Sequence, residues 1–441
     1  MTRKPLAFIR TFGCQMNQRD TETIRGLLLE AGYGFTEHAE DADLVLFNTC
    51  CVRENPERKV YGQVGQLKEV KAGKPGMVIG ICGCMPQQKE ELTQMLERLP
   101  HVDLFFGTHN IHRLPGLLHK IYATGERIVE IWDEGGEPTE GLPALRESRF
   151  KAWVTIMYGC NNFCSYCIVP YVRGRERSRS PQDILREVEE LADRGIKEIT
   201  LLGQNVNSYG QDLKSELDFA DLLEELNQVR GIRRIRFTTS HPKDISDKLI
   251  LQLAQLDKVC EHLHLPVQAG SNDVLRRMNR GYSRERYLQL VERVRQHVPD
   301  ISLTSDIMVG FPGETEADFA DTLSLVEEVE YDSAFTFIYS PRKGTPAAKM
   351  PDQVPEEAKK ERIYRLIDLQ NRISLKRNQE LVGHELEVLV EGTSKNDTQL
   401  LTGKTRTAKT VLFPGTEDLV GQLVNVGIRE AQTWSLTGEI V

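Results

Sequence analysis

The sequence predicts an α/β protein built from three parts: a small doubly wound α/β domain (1–145), a partial parallel (β/α)6 barrel (146–378) and an antiparallel β-barrel of OB-like size (379–441). Apolar strand-like runs alternate with amphipathic helical runs through the first two parts, which is typical of a parallel sheet covered by helices. Short alternating runs replace that pattern near the C-terminus. A stretch rich in Gly, Pro and charge at 135–150 indicates a linker or crossing segment between the first two parts.

The composition is that of an ordinary globular protein, with 39% hydrophobic and 27% charged residues among 441. No apolar run approaches the roughly 20 residues of a membrane span, and the first ten residues lack the apolar segment of a signal peptide. Nine cysteines, an odd number, argue against a disulfide framework and for a reducing cytoplasm. The net charge of −9 gives no overall basic field, so any RNA contact must use local patches.

Cysteines follow three predicted strands of the N-terminal part. The strands are expected at 6–9, 44–47 and 77–81, and a helix after the first should begin near Thr21 or Thr23. The cysteines are Cys14 after the first strand, Cys50 or Cys51 after the second, and Cys82 or Cys84 after the third. Because the C-terminal ends of parallel strands share one edge, one thiol from each group could converge on a single site. The alternative is that they are buried small hydrophobic residues, and the residues alone do not decide between the members of each pair.

The central part alternates six strands with helices. The strands are expected at 152–158, 198–203, 232–239, 261–266, 301–309 and 333–338. One helix is expected from Pro181 to Arg194, with Ser180 as its N-cap and Gly195 after its end. Such a barrel carries its functional groups at the C-terminal ends of its strands.

Three cysteines follow the first barrel strand, with the spacing Cys160-x3-Cys164-x2-Cys167. Thiolates bind soft iron, and a short loop of this kind can wrap one face of a [4Fe–4S] cluster, leaving its fourth iron open. Zinc is the alternative, but it usually takes four ligands and no second pair follows nearby. A disulfide within so short a loop would be strained and would leave an odd thiol.

Polar residues follow the other barrel strands or, for Asp306, lie on the fifth strand, and they are candidate ligand contacts. They are Gly203, Gln204, Asn205, Gln268 and Asp306, although a turn or cap role is as plausible for any one of them. Alternating arginines at 173, 175, 177 and 179 would share one side of an extended segment. They fit a solvated face, an orienting role for a bound carboxylate, or RNA phosphate contacts, for which Arg173 and Arg175 are our candidates.

The C-terminal part begins after a charged connecting helix predicted over 355–380. About five short strands then follow in some sixty residues, which suggests a small barrel of a class that often binds RNA. The local basic segment Lys404, Arg406 and Lys409 is its candidate RNA contact.

The Cys160 loop resembles the signature of radical S-adenosylmethionine (SAM) enzymes, including an aromatic residue, Tyr166, just before the last cysteine. The resemblance implies that the amino and carboxylate groups of SAM bind the open iron. The segment Gly203-Gln204-Asn205 is similar to the amine-contacting segment of these enzymes, and Gln268 and Asp306 are weaker candidates.

The N-terminal motifs resemble those of methylthiotransferases: Thr11-Phe-Gly-Cys14-Gln-Met-Asn17, Asn48-Thr-Cys50 and Gly83-Cys84-Met. The resemblance implies that Cys14, Cys50 and Cys84 hold a second [4Fe–4S] cluster and that Cys51 and Cys82 are neighbours. The C-terminal stretch resembles the TRAM domain, so the resemblance covers nearly the whole chain. Within the family, Gly13 to Asn17 and Val390 to Arg406 are similar to the branch that acts on N6-isopentenyladenosine at position 37 of tRNA.

The resemblance also implies a mechanism and partners. Reduction of the first cluster would cleave SAM to a 5′-deoxyadenosyl radical, and the second cluster would carry the sulfur that becomes the methylthio group on carbon 2 of adenine. The expected partners are the tRNA anticodon loop, an electron donor such as flavodoxin or ferredoxin, and a sulfur donor or cluster-assembly protein, with the chain a monomer. Three alternatives stay open: threonylcarbamoyladenosine in tRNA as the substrate, an aspartate of a ribosomal protein as the substrate, and a non-catalytic iron–sulfur electron carrier.

Overall fold

The computed structural model describes residues 3–51, 54–214 and 217–441. Its N-terminal part is a six-stranded parallel sheet with an apolar core on each face. The strands are β1 (Leu6–Thr11), β2 (Gly34–Phe35), β3 (Leu44–Thr49), β4 (Val78–Gly83), β5 (Leu104–Phe106) and β6 (Ile128–Glu130). The helices are α1 (Gln15–Glu30), α2 (Glu54–Gly73), α3 (Lys89–Arg98) and α4 (Leu114–Thr124).

The order of these strands, β2-β1-β3-β4-β5-β6, confirms the doubly wound prediction. The chain moves to one side of β1 to form β2 and to the other side to form β3, so the strand order reverses between β1 and β3. Ligands of open α/β sheets bind in the crevice at such a switch point. Cys14 and Cys50 follow β1 and β3, and therefore lie at this crevice.

Two details of the N-terminal prediction were wrong. Helix α1 begins at Gln15, directly after Cys14, rather than near Thr21 or Thr23. Thr21 is a buried residue in the helix interior, and its hydroxyl lies 2.7 Å from that of Thr11. Cys82 lies inside β4 instead of after it.

The central part contains strands β7 (Lys151–Thr155), β8 (Met157–Tyr158), β9 (Arg177–Ser178), β10 (Glu198–Leu202), β11 (Arg234–Phe237), β12 (His262–His264), β13 (Ser302–Val309) and β14 (Ser333–Ile338). Its helices are α5 (Val169–Val172), α6 (Pro181–Asp193), α7 (Phe219–Asn227), α8 (Asp247–Gln255), α9 (Asn272–Arg277), α10 (Arg284–His297), α11 (Glu316–Val329) and α12 (Glu356–Gln379). Among all helices of the described ranges, none has the length and apolar character needed to cross a membrane.

Six of these strands form the open parallel barrel that the alternation predicted. Strands β7, β10 and β11 form one three-stranded sheet and β12, β13 and β14 form another. A parallel bridge between Ile235 and Val259 joins the two, and one apolar core runs along both. The predicted cap of α6 is confirmed, because the Ser180 side chain accepts a hydrogen bond from the Asp183 N–H.

The C-terminal part is a closed five-stranded barrel. Its strands are β15 (Glu385–Thr393), β16 (Leu400–Thr405), β17 (Thr410–Pro414), β18 (Leu423–Ala431) and β19 (Leu436–Ile440). They pair in the order β15-β16-β17-β19-β18, and only the β17–β19 pair departs from the predicted antiparallel arrangement. The small apolar core of this barrel has Phe413 and Leu436 fully buried.

This small barrel sits on the N-terminal ends of the central strands. Arg234, the first residue of β11, donates to the carbonyl of Lys404 at 2.8 Å and to the Glu387 carboxylate at 2.8 Å. Arg236 donates to the carbonyls of Thr405 and Arg406 at 2.6 and 2.8 Å. The seam between the two parts is therefore made of buried arginines and backbone carbonyls.

The basic segment predicted to contact RNA lies in this seam. Arg406 forms an ion pair with Glu261 at 2.6 Å, and Lys409 forms one with buried Asp332 at 2.6 Å. Lys404 donates to the Thr410 hydroxyl at 2.7 Å. These three cations are engaged in contacts within the chain, two of them with carboxylates of the central barrel, and an RNA-binding role for them stays a prediction.

A second charged seam joins the N-terminal part to the central barrel. Glu187 on α6 accepts hydrogen bonds from Arg19 at 3.1 Å and Arg179 at 2.7 Å, and also pairs with Arg146. Arg146 reaches Glu22 of α1 at 2.5 Å. Burial alone would raise the pKa of Glu187, but the three guanidinium groups lower it to about 2. The carboxylate is therefore held ionised between the two parts.

Candidate active site

Three thiols gather in the loop between β8 and α5, at the C-terminal end of the barrel. Cys160 and Cys164 are buried and Cys167 is nearly so. Burial raises the pKa of Cys160 to about 11, and burial followed by the neighbouring Cys164 raises that of Cys167 to about 12. The three sulfurs are thus close enough to influence one another, as ligands of one cluster must be.

Backbone geometry holds this loop in place. Gly159 adopts φ +78°, and a Cβ at this position would lie 2.0 Å from the carbonyl oxygen of Arg175, so only glycine fits. Its N–H donates to Gln204 Oε1 at 2.5 Å. Ser165 bonds the turn after α9 through its N–H to the Met278 carbonyl at 3.0 Å. The loop is therefore held from the end of β10 and from the turn after α9.

A second group of thiols lies at the switch point of the N-terminal sheet. Cys14 is exposed at the start of α1, whereas Cys50 and Cys84 are buried. Gly13 adopts φ +117°, and a Cβ there would lie 2.4 Å from the Cβ of Cys50, which shows how closely the two loops approach. The Cys84 N–H donates to the Thr49 carbonyl at 2.8 Å, which ties the third loop to the second.

The remaining two cysteines of this part occupy different surroundings. Cys82 packs in the apolar cluster on one face of the sheet, and Cys51 and Cys84 belong to the cluster on the other face. A hydrogen bond with Cys51, followed by the charge of Arg173, lowers the pKa of Cys84 to about 6. Cys82 therefore fits a packing role, and the preference for Cys50 over Cys51 stays a prediction.

Arg173 links the two groups of thiols. It follows α5, six residues after Cys167, yet its side chain is only 4% exposed and points into the N-terminal part. Its Nη2 lies 2.7 Å from Asp20 Oδ2 and 2.8 Å from Asn17 Oδ1, both on α1. Its charge also acts on the thiols of Cys14 and Cys84. Arg173 is thus a buried side chain between the two sites instead of the surface RNA contact that we expected.

The four arginines that follow the cysteine loop do not share one side. Arg179 is buried and pairs with Asp183 and Glu187, and Arg177 donates to the Gly136 carbonyl at 3.0 Å. Of the four, Arg175 alone is exposed, and its Cζ lies 4.4 Å from the centroid of the Phe163 ring. The expectation failed because the segment is a helical turn followed by a short ribbon, so the period-2 rule for extended chain does not apply.

Among the predicted SAM contacts, Gly203, Gln204 and Asn205 follow β10 and Gln268 follows β12, whereas Asp306 lies inside β13 and Tyr166 in the cysteine loop. Gln204 holds the loop, as described, and the Asn205 amide donates to Asp244 at 2.7 Å while its Oδ1 is buried without a hydrogen-bond partner in the described chain. Gln268 adopts φ +72°, and its backbone N–H donates to the Asp306 carbonyl at 2.9 Å. Asp306 itself lies 3.7 Å from His264. A binding role for these residues, for Gly203 and for Tyr166 stays a prediction.

The donor set suits clusters better than a single ion. Across the described ranges, no three His, Cys, Asp or Glu side chains lie close enough together to share one metal ion. A cubane cluster differs because each thiolate binds its own iron, so its ligands stand further apart. Two groups of three soft thiols, cradled by Gly13 and Gly159, fit that requirement.

A large cavity is lined by sequence neighbours of both groups of thiols, although none of the six cysteines lines it. It has a volume of about 1080 Å³ and lies between the N-terminal part and the barrel. Gln87, three residues after Cys84, and Ile168, next to Cys167, both line it. Its walls also include the aromatic residues Tyr61 and Tyr171, four basic residues (Lys89, Arg98, Arg342 and Lys343) and three acidic residues (Glu90, Glu91 and Asp133). The cavity is large enough for a nucleoside and lies between the two parts that carry the thiols.

The fold and the thiol loop define a radical SAM protein. Residues 154–326 match the Radical SAM superfamily, residues 6–107 match the family described as Uncharacterized protein family UPF0004, and residues 379–441 match the TRAM domain. These matches agree with the three parts that the strand order separates.

Similar proteins narrow this class further. The chain is 56% identical to the tRNA-2-methylthio-N(6)-dimethylallyladenosine synthase of Acetivibrio thermocellus, covering 100% of this chain and 92% of the relative. Its identity to proteins of the same name is 56% in Clostridium perfringens and 55% in Carboxydothermus hydrogenoformans, with 98% and 99% of those relatives covered. The chain belongs to the family of tRNA-2-methylthio-N(6)-dimethylallyladenosine synthases.

Solved structures share the fold at low identity. The radical S-adenosylmethionine methyltransferase TsrM from Kitasatospora setae matches with a TM-score of 0.56 at 13% identity, over 78% of this chain and 77% of that one. The cobalamin-dependent S-adenosylmethionine radical enzyme OxsB matches with a TM-score of 0.54 at 14% identity, over 84% and 56%. At such identities the likeness concerns the fold alone.

Proposed function

We propose that this chain transfers a methylthio group to carbon 2 of N6-isopentenyladenosine at position 37 of tRNA, using SAM and two [4Fe–4S] clusters. The observation that carries the proposal is the cavity of about 1080 Å³ between the two parts that bear the thiols, lined by Gln87 and Ile168, which lie close in sequence to Cys84 and Cys167. Sulfur and a reactive carbon must meet in one place, and we place that meeting next to this cavity. The near-full-length relatives named for this product support the choice of substrate.

We place the three parts of the chain at 1–145, 146–378 and 379–441, and each of the first two would hold one cluster. Cys160, Cys164 and Cys167 would hold the cluster that binds SAM, and Cys14, Cys50 and Cys84 would hold the one that presents the sulfur. When bound, these groups supply one-electron reduction of SAM and a site for sulfur, which carbon 2 of adenine needs because it has no acidic proton.

The chain's own residues position and shield this chemistry. Gln204 fixes the backbone of the Cys160 loop through its 2.5 Å contact with Gly159, and Arg173 fixes the distance between loop and α1 through Asn17 and Asp20. The unpartnered Oδ1 of Asn205 is available to accept from the amine of SAM. Tyr61 and Tyr171 on the cavity wall are suited to stack on a base taken out of the anticodon loop.

RNA contact would then come from cations at the cavity mouth. Arg342 and Lys343 line the cavity, and Arg175, in the segment after the cysteine loop, is exposed like Lys343. All three offer phosphate contacts on the side of the barrel that carries the thiols. An electron donor such as flavodoxin or ferredoxin, a sulfur donor or assembly protein, a monomeric state and a cytoplasmic location complete the proposal.

Mass spectrometry of tRNA nucleosides tests the function directly. A deletion strain should lack 2-methylthio-N6-isopentenyladenosine and regain it with the wild-type chain. Cys50→Ala should fail to restore it, and Cys51→Ala, its neighbour in sequence, should restore most of it. Equal failure of both would refute the choice of ligand.

Two further outcomes separate the alternatives. A deletion strain that keeps the 2-methylthio-N6-isopentenyladenosine would refute the proposed substrate. If that strain instead lacks the modified form of threonylcarbamoyladenosine or of the ribosomal aspartate, the missing product identifies the actual substrate. A purified protein that binds iron yet never cleaves SAM would identify an electron carrier.

A further inference from the structure

Arg280 is a buried cation that touches a thiol of the barrel loop. It lies in the turn after α9 and is only 5% exposed. Its Nη1 donates to Cys164 Sγ at 3.3 Å, and its Nη2 donates to the Pro266 carbonyl at 2.7 Å. Its Nε donates to the Tyr282 hydroxyl at 3.0 Å. The guanidinium is thus held rigidly against one sulfur of the Cys160 loop.

The partners of Arg280 leave its charge uncompensated. Through residues 3–51, 54–214 and 217–441, no carboxylate forms an ion pair or hydrogen bond with this guanidinium. Its hydrogen-bond partners are the Cys164 thiol, the Pro266 carbonyl and the hydroxyls of Tyr282 and Tyr166. Burying a cation without an anion costs several kcal/mol. The site is therefore built for an anion that Cys164 helps to hold.

We propose that Arg280 raises the reduction potential of the cluster held by Cys160, Cys164 and Cys167, through its charge and its hydrogen bond to the Cys164 sulfur. This inference rests on the proposed function. The reduced cluster carries one more negative charge than the oxidised one, so a fixed cation 3.3 Å from a ligand sulfur stabilises the reduced form more.

The electron balance of this step is simple. One electron passes from a low-potential one-electron carrier protein to the cluster, and the carrier is oxidised as the cluster is reduced. Arg280 forms no covalent bond and transfers no proton. It is a positioning residue whose effect is electrostatic.

Potentiometry with electron paramagnetic resonance detection tests the proposal on the full chain after anaerobic reconstitution. Replacing Cys14, Cys50 and Cys84 by Ala in every sample leaves the signal of one cluster. Arg280→Gln should lower the potential so that the ratio of reduced to oxidised cluster at a fixed potential falls about tenfold, which is about 59 mV for a one-electron couple. Arg280→Lys keeps the positive charge but loses the planar guanidinium, so its reduction potential should lie between those of the parent and of Arg280→Gln.

The control is Arg276→Gln, because Arg276 is an exposed residue of helix α9, just before the turn that carries Arg280, and is paired only with exposed Asp273 in the described structure. Its potential should equal that of the parent. An unchanged potential in Arg280→Gln would overturn the proposal. If Arg280→Gln fails to bind iron, the Lys variant decides: a parent-like potential, or the same failure to bind iron, would assign Arg280 a structural role only. Absence of iron from the parent itself would count against the proposed function instead.

Discussion

The two ends of the central barrel use charged residues in opposite ways. At the N-terminal end, Arg234, Arg236, Arg406 and Lys409 find carboxylates or backbone carbonyls and seal the small barrel in place. At the C-terminal end, Arg173 and Arg280 are buried and act on thiols, although Arg173 also pairs with Asp20. Cations paired only within the protein stabilise a seam, whereas cations that also face thiols prepare a site. Changes at the two ends should therefore affect different measurements.

The largest expected contrast is between two buried cysteines at opposite ends, Cys164 and Cys260. Cys164→Ala should abolish product formation and remove roughly half the iron, because one of two clusters is lost. Cys260→Ala should keep the iron and cost about 1 kcal/mol of stability as a small core truncation. Iron content per chain after anaerobic reconstitution checks both. Equal iron in the two variants would contradict the assignment of the loop.

The next contrast concerns Asp20, which balances Arg173 at 2.7 Å. Asp20→Asn leaves a buried guanidinium without its carboxylate, so the free energy of unfolding should fall by about 3–5 kcal/mol. Glu30→Gln, at the exposed end of the same helix, should change it by less than about 0.5 kcal/mol. Urea unfolding of the apoprotein measures both. A parent-like midpoint for Asp20→Asn would mean that another group carries the balancing charge.

The seam at Glu187 predicts an acid-sensitive contact. Its pKa is lowered from 4.5 to about 2, so its ionised form stabilises the fold above pH 4.5 by about 3 kcal/mol, and this is lost as the pH falls toward 2. Glu187→Gln should therefore show a smaller loss of stability between about pH 6 and pH 3 than the parent. Exposed Glu189→Gln on the same helix should behave as the parent does. A parent-like pH dependence in Glu187→Gln would contradict the ion-pair assignment.

The smallest expected effect belongs to Arg406, which is partly exposed and pairs with Glu261. Arg406→Ala should weaken the seam by about 1 kcal/mol and leave the salt dependence of tRNA binding unchanged. Arg175→Ala should instead lower the slope of log affinity against log salt by about one. Titrations at several salt concentrations separate the two. A lower slope for Arg406→Ala would restore the RNA role that the sequence suggested.

The sequence was sufficient for most elements that depend on periodicity or spacing, although the alternation of the four arginines misled because their segment is not extended. The six barrel strands, the Ser180 cap and the cysteine-bearing strand ends follow from local patterns, and the fold confirms them. Strands of two or three residues, such as β2 and β6, are too short to carry a pattern. The start of α1 was missed because Cys14, a residue without a side-chain cap contact there, occupies the N-cap position.

Charge partners were beyond the reach of sequence. Arg173 and Asp20 are 153 positions apart and Arg406 and Glu261 are 145 apart, so nothing local distinguishes a buried pair from a solvated face. Arg280 gave no signal at all, because it lies in a turn between two helices without a motif or a period. The binding roles of the strand-end residues depend on a ligand and stay predictions.

The position of the small C-terminal barrel also limits what can engage both ends of the molecule. Strand β13 has eight residues, so the mouth with the thiols and the floor with the seam are roughly 25 Å apart. A free nucleoside is far too short to span that distance, whereas a folded stem with its loop is long enough. Discrimination between an intact RNA and its isolated base would then follow from length alone, before any base is recognised.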